Sequence, residues 1–196
     1  MSNLTSADQF ENTSAKTILF FGDSLTAGFG MAQNQDFPAL IQEKINSQNL
    51  AYKVVNAGLS GETSAGGKAR IVNLQEQSVD VFVLELGIND ILRGITPTET
   101  ISNLQFIIDF VKIKHPDVKL MLLGMELPSF FTGHTLTEFR MIFRHLAEKN
   151  TMLFMPFLLH GVAGNRLLNL ADGVHPNAKG YEIIAGNLWP ILKTIL

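Results

Sequence analysis

Ile18-Leu19-Phe20-Phe21-Gly22-Asp23-Ser24-Leu25-Thr26-Ala27-Gly28 is the stretch on which the fold turns. Four consecutive apolar residues closed by a glycine are too short for a buried helix and match a strand that is apolar on both faces. Three more runs repeat the pattern, Ile18–Phe21 being followed by Val81–Leu86, Val118–Leu123 and Met152–Met155, with a weaker run at Lys53–Ala57. Between them, apolar residues recur at helical spacing. Phe37, Leu40, Ile41 and Ile45 share one face, as do Ile101, Leu104, Ile108 and Val111, and then Tyr181, Ile184, Ala185, Leu188 and Leu192. Strand and helix alternate to the last residues, so the expected fold is α/β, a doubly wound parallel sheet covered by helices on both faces.

No repeat, low-complexity tract or linker interrupts this pattern, so residues 17–196 read as one domain behind a polar leader, residues 1–16. An apolar share of 46% against 17% charged residues argues for a packed core rather than disorder. A net charge of −3 without any basic cluster makes nucleic acid and anionic membrane surfaces poor partners. Cysteine is absent, which removes disulfides, Cys-ligated zinc and thiol nucleophiles together. No apolar run approaches the ~18 residues that span a bilayer. The leader lacks the basic start and apolar middle of a signal peptide. With no export signal in view, a cytoplasmic protein and the processed form of an exported one both fit, and no pattern fixes the oligomeric state.

In a parallel α/β sheet, ligands bind outside the carboxyl ends of the strands, near the switch in strand order. The residues following each strand therefore carry the functional question. Gly22-Asp23-Ser24-Leu25 can present a serine hydroxyl at that edge, although alone it reads equally well as a turn with a capping serine. It is a poor phosphate loop, because no Gly-Lys-Ser/Thr follows and Asp23 would repel a phosphate. Near the last helix stands Asp172-Gly173-Val174-His175-Pro176-Asn177. Pro176 suits the first position of that helix and leaves His175 extended just outside it. Gly173 permits a short turn that returns the Asp172 carboxylate to the imidazole, fixing its tautomer. His115, His134, His145 and His160 lack such company and read as structural.

The third strand runs into Glu85-Leu86-Gly87-Ile88-Asn89-Asp90, where the Asn89 amide is a candidate donor to a developing oxyanion; by itself it reads better as an Asn-Asp turn. The second leads to Asn56-Ala57-Gly58-Leu59-Ser60-Gly61-Glu62-Thr63, with Gly61 expected at a helix start, its N–H facing outward. The fold brings all four segments to one edge, which supplies a nucleophile, a base with its orienting carboxylate, and oxyanion donors.

In these segments the chain resembles the GDSL family of SGNH hydrolases, in particular its small bacterial branch of acyl-esterases, thioesterases, lysophospholipases and arylesterases. The blocks Gly22-Asp23-Ser24-Leu25, Gly61, Gly87-Ile88-Asn89-Asp90 and Asp172-Gly173-Val174-His175 occur in order from about Thr17 onward. The resemblance implies a three-layer αβα sandwich with about five parallel strands. It also implies catalytic Ser24, His175 and Asp172, and an oxyanion hole formed by Ser24, Gly61 and Asn89. The chemistry so implied is hydrolysis of a small ester or lipid through an acyl-enzyme, with no metal and no cofactor. Asp23 and Asp90 read as structural.

Apolar residues at the mouth suit an acyl chain or aryl ester: Phe29, Met31, Ile91, Leu92, Phe130, Phe131 and Phe157 to Leu159. Arg93 is a candidate contact for an anionic head group. Two other functions are alternatives, the first on a similar strand–helix order. One is a flavodoxin-like cofactor-binding module; the other is a metal-dependent phosphoesterase built on Asp23, Asp90, Asp172 and His175. A classical α/β-hydrolase would need a Gly-x-Ser-x-Gly elbow, and position 26 is Thr.

Overall fold

Strand β1 (Lys16–Gly22) is an inner strand, and every residue after Lys16 is buried. It pairs in parallel with β2 (Tyr52–Gly58) on one side and with β3 (Val81–Glu85) on the other. Strands β4 (Lys119–Leu123) and β5 (Leu153–Met155) extend the sheet beyond β3. The computed structural model describes residues 15–74, 78–126 and 134–196. Its sheet has five parallel strands in the order β2-β1-β3-β4-β5, so the fold is the three-layer α/β sandwich expected from the alternation. Lys16, expected at the end of the leader, pairs with Tyr52 and belongs to the sheet.

Helices α2 (Phe37–Ser47) and α7 (Ala178–Leu192) pack together on one face. On the other lie α3 (Ser64–Ile71), α5 (Pro97–Lys114) and α6 (His134–Asn150), the last of which the structure adds to the helices expected. Single turns, α1 (Ser24–Ala27) and α4 (Ile88–Leu92), follow β1 and β3. The apolar stripes face inward: Phe37, Ile41 and Ile45 of α2, Leu104, Ile108 and Val111 of α5, and all five expected residues of α7 are buried. Replacing one such aromatic, Phe37→Ala, removes enough buried surface to cost about 3–5 kcal/mol.

The chain runs from β1 outward to β2, then crosses back to β3 on the opposite side of β1. The crevice between the carboxyl ends of β1 and β3 is therefore the topological switch point. There the register sets Gly22 level with both Gly58 and Glu85.

Candidate active site

The switch point presents Ser24. Asp23 caps α1, its Oδ1 accepting the Leu25 N–H at 3.0 Å, so Ser24 is the first helical residue. Gly22 has ordinary backbone angles, and its need for glycine is spatial. A Cβ there would lie 2.1 Å from Thr26 Oγ1 and 2.6 Å from the Glu85 carbonyl oxygen. The strand exit can fold this closely against β3 only without a side chain.

Across the crevice, the Asp172–His175 loop is held by the Asp172 carboxylate. Its Oδ1 accepts the N–H groups of Val174 at 2.8 Å and His175 at 3.0 Å, an Asx-type turn. Its Oδ2 lies 2.7 Å from His175 Nδ1. The backbone N–H of His175, then that of Val174, hold the Asp172 carboxyl down at about 2, so it stays ionised and fixes the proton on Nδ1. Nε2 is then the basic nitrogen, and it lies 2.9 Å from Ser24 Oγ. Ser24, His175 and Asp172 thus form one continuous chain of hydrogen bonds. Phe29 covers the imidazole, with ring centroids 4.6 Å apart.

The helix after this loop begins two residues later than Pro176 leads one to expect. Asn177 is the N-cap, its side chain accepting the Gly180 N–H. Pro176 instead bridges Asn169 outside the helix. A capping side chain that satisfies an orphan N–H outweighs the weaker preference for proline at the first turn.

Gly61 also differs from expectation. Helix α3 starts at Ser64 with Thr63 as its cap, and Gly61 precedes it in the turn closed by Glu62 N–H to Leu59 O at 3.1 Å. Its φ of +78° is the left-handed value that the third position of a type II turn requires. Among the described residues no acceptor takes the N–H of Ser24 or of Gly61. Asn89 is no local turn former. Its Nδ2 donates to Asp23 Oδ2 at 3.0 Å and to the Glu62 carbonyl at 3.1 Å, which uses both amide hydrogens and ties β1, β2 and β3 loops together.

The remaining sequence candidates divide. Leu92 is exposed and Ile91 half-buried at the rim. Arg93 is exposed but not idle, because its Nη2 donates to the Gly61 carbonyl at 2.7 Å. Phe130 and Phe131 lie outside the described residues. Leu158 belongs to the core. Asp90 is structural: buried, it accepts from the Ser64 N–H, the Ser64 hydroxyl and the Thr100 hydroxyl, joining α3 to α5. Among the described residues no three His, Asp or Glu side chains converge to hold a metal ion.

Three features escaped sequence reading. Arg70 lies over the Phe21 ring and makes a two-pronged bond to Glu62, anchoring the Gly61 turn from behind. Tyr181 of α7 donates its hydroxyl to the Leu25 carbonyl under Ser24. Glu85 is wholly buried beside Asp23. The last had a signal: a lone charged residue closing an otherwise apolar strand.

A parallel sheet with a Ser-His-Asp chain at its switch point defines a hydrolase that acts through an activated serine. Comparison with known proteins gives the family. The sequence profile of the GDSL-like Lipase/Acylhydrolase family matches residues 20–183. Esterase TesA of Pseudomonas aeruginosa is 35% identical over 187 residues, covering 95% of this chain and 92% of that protein. Thioesterase 1/protease 1/lysophospholipase L1 of Escherichia coli K12 is 36% identical over 177 residues, covering 90% and 83%. The crystal structure of TesA superposes with a TM-score of 0.87 at 35% identity, over 92% of this chain and all of that one. The chain belongs to the GDSL-like lipase/acylhydrolase family. It is an enzyme of the carboxylic ester hydrolase class.

Proposed function

We propose that this hydrolase cleaves carboxylic esters of apolar acyl or aryl groups through Ser24, with thioesters and lysophospholipids open to the same chemistry. The observation that carries the assignment is the unbroken chain from Ser24 Oγ to His175, 2.9 Å, and from His175 to Asp172, 2.7 Å. Ser24 Oγ attacks the carbonyl carbon as its proton passes to His175 Nε2. The Asp172 carboxylate stabilises the imidazolium so formed. The carbonyl oxygen becomes an oxyanion facing the N–H groups of Ser24 and Gly61. Asn89 joins them by exchanging the neutral Glu62 carbonyl for the charged oxygen, the stronger acceptor.

The intermediate collapses by breaking the C–O or C–S bond, and His175 gives its proton to the departing alcohol or thiol. Water then yields a proton to His175 and attacks the acyl carbon, releasing the acid and restoring the Ser24 hydroxyl. Exposed apolar side chains on the same loops favour an apolar acyl or aryl group: Phe29, Leu59 before Gly61, Leu92 beside Arg93, and Val174 beside His175. The names of the relatives, an esterase and a thioesterase/lysophospholipase, agree with this range.

The decisive experiment is labelling with a fluorophosphonate probe alongside hydrolysis of aryl esters, acyl-CoA and lysophospholipid. Ser24→Ala is expected to abolish the label and all hydrolysis. A label that survives in this variant places the nucleophile elsewhere and ends the proposal.

A further inference from the structure

Directly beneath Ser24 lie two carboxyl groups that the mechanism leaves unused. Asp23 and Glu85 are both completely buried. Glu85 Oε2 accepts from the Thr26 hydroxyl at 2.8 Å and from the Asp23 N–H at 3.2 Å, which sets the two buried carboxyl groups side by side. Glu85 Oε1 is buried without an acceptor role among the described residues. Two adjacent carboxyl groups cannot both stay ionised in a dry site, so the pair retains one proton.

Position decides which oxygen carries it. Asp23 receives the Leu25 N–H and the Asn89 amide, donors that favour its charge, and burial raises it only to about 6. Burial and then the neighbouring charge of Asp23 push Glu85 well above the usual carboxyl range. The other groups facing the pair are the His175 imidazole from the 172–175 loop and the Tyr181 phenol from α7. Among the described residues no Lys or Arg bonds either carboxyl.

We propose that Glu85 is a positioning residue of this hydrolase: as a neutral carboxylic acid it donates a hydrogen bond to Asp23 and so fixes that carboxylate. Asp23 in turn caps the helix that presents Ser24 and aims the Asn89 amide from its other oxygen. The inference rests on the acyl-transfer reading above, since aim matters only if Ser24 and Asn89 react with substrate. Loss of the Glu85 proton turns a donor into a second buried anion and releases Asp23 from its place. Rising pH therefore lowers kcat on an alkaline limb while KM changes little.

Glu85→Gln keeps a donor N–H at every pH and an oxygen for Thr26. It is expected to hold kcat within about threefold of wild type near neutrality, to lack the alkaline limb, and to be the conservative rescue of Glu85→Ala. The alanine variant is expected to lose about 10–100-fold in kcat, within the range seen when one preorganised donor is disturbed. Difference infrared spectroscopy of the intact protein supplies a readout independent of catalysis. A protonated-carboxyl carbonyl stretch near neutral pH, shifted in D2O and absent from Glu85→Gln, is the expected result. A folded wild type without that band overturns the proposal, as does a well-folded Glu85→Gln no more active than Glu85→Ala. Esterase activity in Ser24→Ala would sink the functional reading yet leave the infrared band in place, so the two failures are distinguishable.

Discussion

Asp172 grips His175 twice, one carboxylate oxygen on the backbone N–H at 3.0 Å and the other on ring Nδ1 at 2.7 Å. One side chain therefore both folds the loop and sets the tautomer. The two roles separate in Asp172→Asn. Its amide oxygen can still accept the backbone N–H groups, while its NH2 faces Nδ1 and favours the wrong tautomer. A melting temperature near wild type with kcat down by roughly 10⁴-fold is the expected pair of results. A variant retaining a tenth of wild-type kcat would show that Asp172 serves the loop alone.

The same carboxylate gives a pH dependence of stability. Its folded value is depressed from 3.8 to about 2. A depressed acid contributes stability that is present above the unfolded value and lost as pH falls through the folded one. The wild-type advantage in Tm over Asp172→Asn is thus expected to hold at pH above about 4 and to vanish toward about 2. The carboxylate is partly exposed, which keeps the effect small. Thermal melts across that window measure it, and an advantage growing toward acid would reverse the assignment.

Asn89 spans two loops from a third, so a merely structural role and an oxyanion role predict different kinetics. Asn89→Ala is expected to lower kcat by about 10²–10³-fold with KM nearly constant, because the charged oxygen exists only beyond the ground state. If instead kcat survives and only the melting temperature drops, Asn89 is a tie between loops and no more.

Arg93 donates to the Gly61 carbonyl, so its charge and its hydrogen bond suggest two different roles. Arg93→Ala is expected to reduce kcat several-fold, about 1 kcal/mol or less for one exposed bond, equally for neutral and anionic esters. A rise in KM confined to anionic substrates would instead favour the head-group contact.

How far the sequence carries can be judged from single residues. The apolar run at Ile18–Phe21 and the stripe from Tyr181 to Leu192 were legible because strand and helix periods are strong signals over their lengths. The four site segments were legible because a parallel sheet sends all its strand ends to one edge. Short helices escape: α1 and α4 are single turns with no period to read. Helix α3 lacks an apolar stripe, and its Gly67 is pressed close to Leu86, so tertiary packing sets it. Pro176 and Gly61 misled about helix starts because local caps, Asn177 and Thr63, decided those boundaries. The burial of Glu85 depends on which side of β3 meets Asp23, a fact of pairing that no local window contains.

Ser24 and His175 are separated by 151 residues, and Tyr181 reaches back under the serine from still further along the chain. During synthesis the segment bearing Ser24 emerges long before His175, its proposed base. On that mechanism, acquisition of activity is expected to be the closing event of folding, with the 172–181 segment docking against the sheet. Refolding followed in parallel by far-ultraviolet dichroism and by ester turnover tests this order: turnover should trail secondary structure, and simultaneous recovery would show that loop and sheet assemble together. On that order, the newborn chain is expected to stay harmless to the esters around it until the last docking.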